Sequence, residues 1–95
     1  MKDFLLLMHD GTKPAPDAWG PYLAKLREAG CFQGGSAMGD GVCVTRGGAA
    51  PDITRHLAGY VKIRANDLAH AQALLAGNPV YELGGVVEIR ELPES

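Results

Sequence analysis

The segment from His56 to Leu92, HLAGYVKIRANDLAHAQALLAGNPVYELGGVVEIREL, limits the possible folds of this chain more than any other stretch. Leu57, Gly59, Val61 and Ile63 alternate with Tyr60, Lys62 and Arg64, which predicts a strand with one apolar and one mixed face. Asn66 is placed to cap a helix, and Asp67 complements the positive end of that helix. Leu68, Ala71, Leu74 and Leu75 supply a buried stripe over a helix at 66–76, with His70 on the solvated side, before Gly77 and Pro79 stop it. Val87 and Ile89 then alternate with Glu88 and Arg90 in a last strand that ends at Pro93. The segment is one β-α-β unit.

The remainder of the chain reads as a strand, a helix and a hairpin, with no internal repeat and no low-complexity segment. KDFLLLMH, residues 2–9, has Phe4, Leu6 and Met8 on one side and Leu5 and Leu7 on the other, as suits a central strand covered on both faces. A polar, proline-bearing loop follows. Trp19, Tyr22, Leu23 and Leu26 keep helical spacing up to Gly30, so a helix is expected at 17–29, regular from Pro21 with an irregular or 3₁₀ lead-in. Residues 31–38 and 42–46 read as two short strands joined by a hairpin at Gly39-Asp40-Gly41, and Gly34 and Gly35 as a bulge or a close approach of backbones.

This element order predicts an α+β fold, the ferredoxin-like split β-α-β plait: an antiparallel sheet in order 4-1-3-2 with two helices on one face. One domain spans residues 1–95. The other sheet face keeps too much apolar surface to remain wet, so a homodimer through the sheet face not covered by helices is expected. Chain length argues the same way, because a 95-residue domain buries only about 60–65% of its unfolded surface.

Composition removes several function classes. Nine Lys and Arg against 11 Asp and Glu, scattered rather than clustered, give no field for a phosphate backbone, so no nucleic-acid partner is expected. The apolar run Phe4–Met8 is too short for a signal segment or a membrane span, so no membrane association and a cytoplasmic location are expected. Cys31 and Cys43 match no zinc or redox spacing. Placed at opposite ends of a strand over 31–38, they stand roughly 20 Å apart, too far for a disulfide.

LAGYVKIRANDLAHAQALLAGNPVYELGGVVEIREL resembles the YCII-related (DGPF-type) family, whose members carry a GGY-led strand, an Asp-Leu-led helix, a proline turn, a Gly-Gly pair and a final Val-Glu-[Ile/Val]-Arg strand. The opening KDFLLLMHDG and the AGCFQGGSAM segment with the following hairpin also fit, so the resemblance spans most of the chain. It implies a dimeric α+β barrel, an architecture shared with muconolactone-isomerase-like enzymes, and it implies regulatory relatives encoded beside or fused to sigma factors. Two departures stand out. The DGPF signature is replaced by PDITRHLAGY, and the positions of a His-Asp pair proposed as catalytic in one branch are held by Trp19 and Asn78. Neither residue serves as a general acid or base at neutral pH, so that dyad does not carry over.

In the plait, one end of the sheet collects most of the chemistry-bearing side chains. His9, His56 and Asp10 are the candidate catalytic group, with the imidazoles as proton carriers. Trp19, Tyr22, Asn78 and Tyr81 are the candidate ligand-binding residues, and Gly84 and Gly85 leave room for a ligand beside His9. Two imidazoles and a carboxylate would be enough for a weak transition-metal site, but the ligand spacing is not tight; no metal and no cofactor is assigned. Glu88 with Arg90 reads as an interface ion pair. The expected function is a homodimeric small-molecule-binding protein or enzyme with a polar pocket at this end of the sheet. The alternative is a non-catalytic dimeric sensor or adaptor of the sigma-factor-associated type, and whether there is catalysis stays open.

Overall fold

In a computed structural model of the chain, which describes residues 1–94, the two-sided apolar run at the N-terminus becomes β1, Lys2–His9. A single 3₁₀ turn, Pro16–Ala18, leads into α1, Trp19–Glu28, which is followed by β2, Phe32–Ala37, and β3, Leu57–Ala65. Then come α2, Leu68–Ala73, a short α3, Pro79–Glu82, and β4, Val87–Leu92. The strands form one antiparallel sheet in order β2-β3-β1-β4, so β1 is internal. Leu6 lies opposite Val61 on one side and Ile89 on the other. Among the described residues, no helix is long and apolar enough to cross a membrane.

Alternation along the strands decides where the core sits. Phe4, Leu6 and Met8 join Val61, Ile63 and Ala65 on one face, where Tyr22 and Leu26 of α1 and Ala71 and Leu75 of α2 and its C-terminal turn cover them. Fully burying a side chain such as Phe4, Leu6, Leu26 or Ile63 contributes about 1.5–3 kcal/mol, so this layer holds the helices to the sheet. Leu5, Leu7, Tyr60 and Lys62 point the other way and are half-buried among themselves.

Local termini follow identifiable rules. Gly30, at φ +73°, closes α1 as its Cys31 neighbour donates to Leu26 O at 2.9 Å and Gly30 itself donates to Arg27 O at 3.0 Å. That pairing satisfies the last carbonyls of the helix and seals it with buried Cys31 against buried Leu26. The regular helix begins at Trp19, two residues before the expected start, because Pro21 falls in a first turn whose N–H groups have no intrahelical partner anyway.

Four details differ from expectation. Residues 42–46 form no strand: after β2 the chain runs without regular structure to His56, and Val42 and Val44 are 78% and 85% exposed. The glycine-rich segment finds no surface against which its alternating valines can be buried, so alternation alone does not produce a strand. The cap of α2 is Asp67, whose carboxylate accepts from His70 N at 2.8 Å, rather than Asn66, whose N–H donates to His70 Nδ1 at 2.9 Å. Leu68 is 52% exposed, leaving Ala71 and Leu75 as the buried stripe. Finally, α3 is an extra turn of helix, started by Pro79 and capped by Asn78.

Candidate functional site

Met8 and His9 are adjacent in sequence and belong to opposite faces of the sheet, and this divides the candidate residues into two groups. His9 ends β1 on the face without helices. Its N–H donates to Val86 O at 2.9 Å, and the next N–H, that of Asp10, donates to His56 O at 2.6 Å. The end of β1 is therefore held on one side by the segment before β4 and on the other by the residue before β3. His56 lies with its ring edge-to-face against His9, centroids 4.9 Å apart at 71°. From the β4 side, Glu88 accepts or shares a hydrogen bond between Oε1 and His9 Nε2 at 2.9 Å, while its Oε2 accepts from Arg90 Nε at 2.7 Å. The Arg90 hydrogen bond, and then the one with His9, hold the Glu88 carboxyl below the usual glutamate range.

His9 and His56 thus meet as the sequence suggests, but the carboxylate beside them is Glu88. Asp10 contributes its backbone to the assembly and keeps an exposed side chain. Antiparallel register gives the reason: Glu88 lies opposite Leu7, on the same face as His9, and strand order alone does not fix which residues of β1 and β4 stand opposite each other.

The other group faces the helices. A cavity of about 310 Å³ lies at the same end of the sheet, lined by Met8, Trp19, Leu23, Phe32 and Val80 with the hydroxyl residue Thr12. Its floor is low because β2 and β3 place Gly35, Ala37 and Gly59 where larger side chains would otherwise stand. The two glycines are required by the strand pairing itself. A β-carbon on Gly35 would lie 2.8 Å from Tyr60 O, and one on Gly59 would lie 3.0 Å from Ser36 O. Gly34, at φ +128°, sits where the β2–β3 register shifts, so the Gly34-Gly35 pair makes both the irregularity and the close approach read from the sequence.

Trp19 lines this cavity and packs edge-to-face on Tyr22, centroids 6.2 Å apart. Tyr22 and Asn78 do not line it; both are buried with internal partners. The Tyr22 hydroxyl donates to Leu74 O at 2.9 Å, fastening α1 to the end of α2. Burial raises the Tyr22 pKa above the ordinary phenol value, with a hydrogen bond to Asn78 acting in the opposite direction. Asn78 Oδ1 accepts from Val80 N at 3.0 Å and Tyr81 N at 3.1 Å, an N-cap in the protein interior. Tyr81 is half exposed on α3, outside the cavity wall. Gly85 makes room for Thr12 and Val80 rather than for a ligand beside His9. At this end of the sheet a polar cluster and an apolar cavity therefore lie back to back across the strands.

Both cysteines are free; Cys31 is buried beneath the α1 terminus, and Cys43 lies in the long segment before β3. The sequence matches no protein-family model and no curated protein.

Proposed function

We propose that this chain is a YCII-related protein of the dimeric α+β barrel type, built on a ferredoxin-like split β-α-β plait, that binds a small and largely apolar molecule. The observation that carries the binding reading is the 310 Å³ cavity under Trp19 and Leu23, at the lower end of the size range of about 300–1,000 Å³ typical of ligand pockets. Strand order and the shared helix-side core support the plait. The half-buried Leu5 and Leu7 on the opposite face support pairing of two copies there.

Thr12 suits a ligand with one hydrogen-bonding group on an otherwise apolar body. The described lining residues carry hydroxyls but no carboxylate, imidazole or amine, which favours recognition without chemistry and hence the sensor or adaptor branch.

The test is a thermal-shift screen with small aromatic and branched aliphatic compounds bearing one hydroxyl or carbonyl group. A ligand at a hundred times its Kd stabilises the protein by about 2.7 kcal/mol. Ala37→Leu places a side chain over the cavity floor and is expected to abolish the shift while the unliganded protein keeps its circular dichroism. Ligands that stabilise wild type and Ala37→Leu equally would show that this cavity is not the binding site.

A further inference from the structure

The geometry points to a divalent transition-metal site formed by His9, His56 and Glu88 on the sheet face opposite the cavity. It is independent of the ligand reading above, because none of the three residues lines the cavity.

Three distant parts of the chain converge here. One donor atom from each of the three side chains lies within 4.8 Å of the others. Donors bound at about 2.0–2.1 Å around a tetrahedral ion stand roughly 3.3–3.4 Å apart, so closure needs side-chain movements of about 1.5 Å and no change of backbone. The His9–Glu88 pair, at 2.9 Å, is already inside that limit. The backbone is set beforehand by the bonds from His9 N to Val86 O and from Asp10 N to His56 O, which fix the central ligand against both neighbouring segments.

The donor set selects the ion. Two imidazoles and one carboxylate favour borderline ions such as Zn²⁺, Co²⁺, Ni²⁺ or Cu²⁺ over Mg²⁺ and Ca²⁺, which require mostly oxygen ligands. Glu88 divides its oxygens usefully: Arg90 holds Oε2 at 2.7 Å, leaving Oε1 turned to the histidines, an outer-shell contact that orients a ligand. In the single chain the His9 and Glu88 side chains are 26% and 31% exposed, so the remaining coordination positions can be reached by water or by a group of the second copy proposed to pair on this face.

The test uses the full chain carrying no histidine tag, with Zn²⁺ followed by calorimetry and Co²⁺ by visible absorption, both at neutral pH. One ion per chain is expected, with the intense d–d bands of a low-coordinate Co²⁺ centre. His9→Ala and His56→Ala should each weaken Zn²⁺ binding at least tenfold, and Glu88→Gln by a smaller factor. His70→Ala and Cys43→Ser should leave it unchanged. Substoichiometric Co²⁺ added to wild type gives a readout that needs no variant: the ring resonances of His9 and His56 shift or broaden before those of His70. Absence of binding up to millimolar Zn²⁺, an unchanged affinity in the His9→Ala/His56→Ala double variant, or prior perturbation of His70 would each overturn the site.

Discussion

Asn78→Ala tests whether this asparagine is part of the architecture or part of a binding surface. The side chain is fully buried, and its Oδ1 serves two backbone donors, Val80 N at 3.0 Å and Tyr81 N at 3.1 Å. Losing an N-cap side chain costs about 0.5–2 kcal/mol. Val80 is only 4% exposed, so water cannot replace the lost acceptor, and an unsatisfied buried donor costs about 1–3 kcal/mol. These overlapping contributions give a loss of about 2–3 kcal/mol. With an unfolding entropy near 2.1 cal/mol/K per residue, about 0.2 kcal/mol/K for the chain, Tm should fall by about 10–15 °C. Asn78→Ser retains a short capping oxygen and should recover at least half of that loss. The assay is calorimetric or circular-dichroism melting at matched protein concentration, since self-association makes Tm concentration-dependent. A fall of less than about 3 °C for Asn78→Ala would refute the cap argument and return Asn78 to the list of ligand contacts.

Two further outcomes follow from the sheet face without helices. Because Arg90 and His9 stabilise the Glu88 carboxylate, its NMR-detected titration should lie below that of an ordinary glutamate, and Arg90→Ala should move it upward. The corresponding stability is fully present above the unfolded-state pKa and is lost as pH falls through the lower folded-state value; an unmoved titration in Arg90→Ala would contradict it. The same face should pair two copies, so sedimentation of wild type at micromolar concentration should give a dimer and Leu7→Arg a folded monomer. A monomeric wild type would remove the dimer from the proposal.

The strands and helix ends were legible because their causes are local. A run apolar on both faces marks β1, alternation over two residues marks β3 and β4, and Gly30, at φ +73°, marks where α1 finishes, whereas α2 stops at Ala73, short of the expected end at 76. The Gly34-Gly35 irregularity was equally visible, since glycine inside a strand has few other uses. Local signals misled where two adjacent residues compete for one role. Asn66 and Asp67 are both good caps, and only the position of His70 decides between them. Residues 42–46 alternate well and still form no strand, because strand formation needs a surface to pack on.

The sequence by itself determined the alternation, the boundaries of most elements and the strand order, which follow from contacts between near neighbours and from chain connectivity. Only the tertiary structure decided which side chains share a site. His9 meets Glu88 across 79 positions of sequence through the β1–β4 register, while its neighbour Met8 turns into the core. The cavity arises from small residues on two strands, Gly35, Ala37 and Gly59, that acquire meaning only when β2 and β3 lie side by side beneath α1. Asn78 became a buried cap because α3 folds onto the core, with Val80 buried in it and Asn78 Nδ2 4.0 Å from Met8 Sδ, so that the polar side chain is buried with its backbone donors. Periodicity assigns a residue to a face; register and packing assign it a partner, and function depends on the partner.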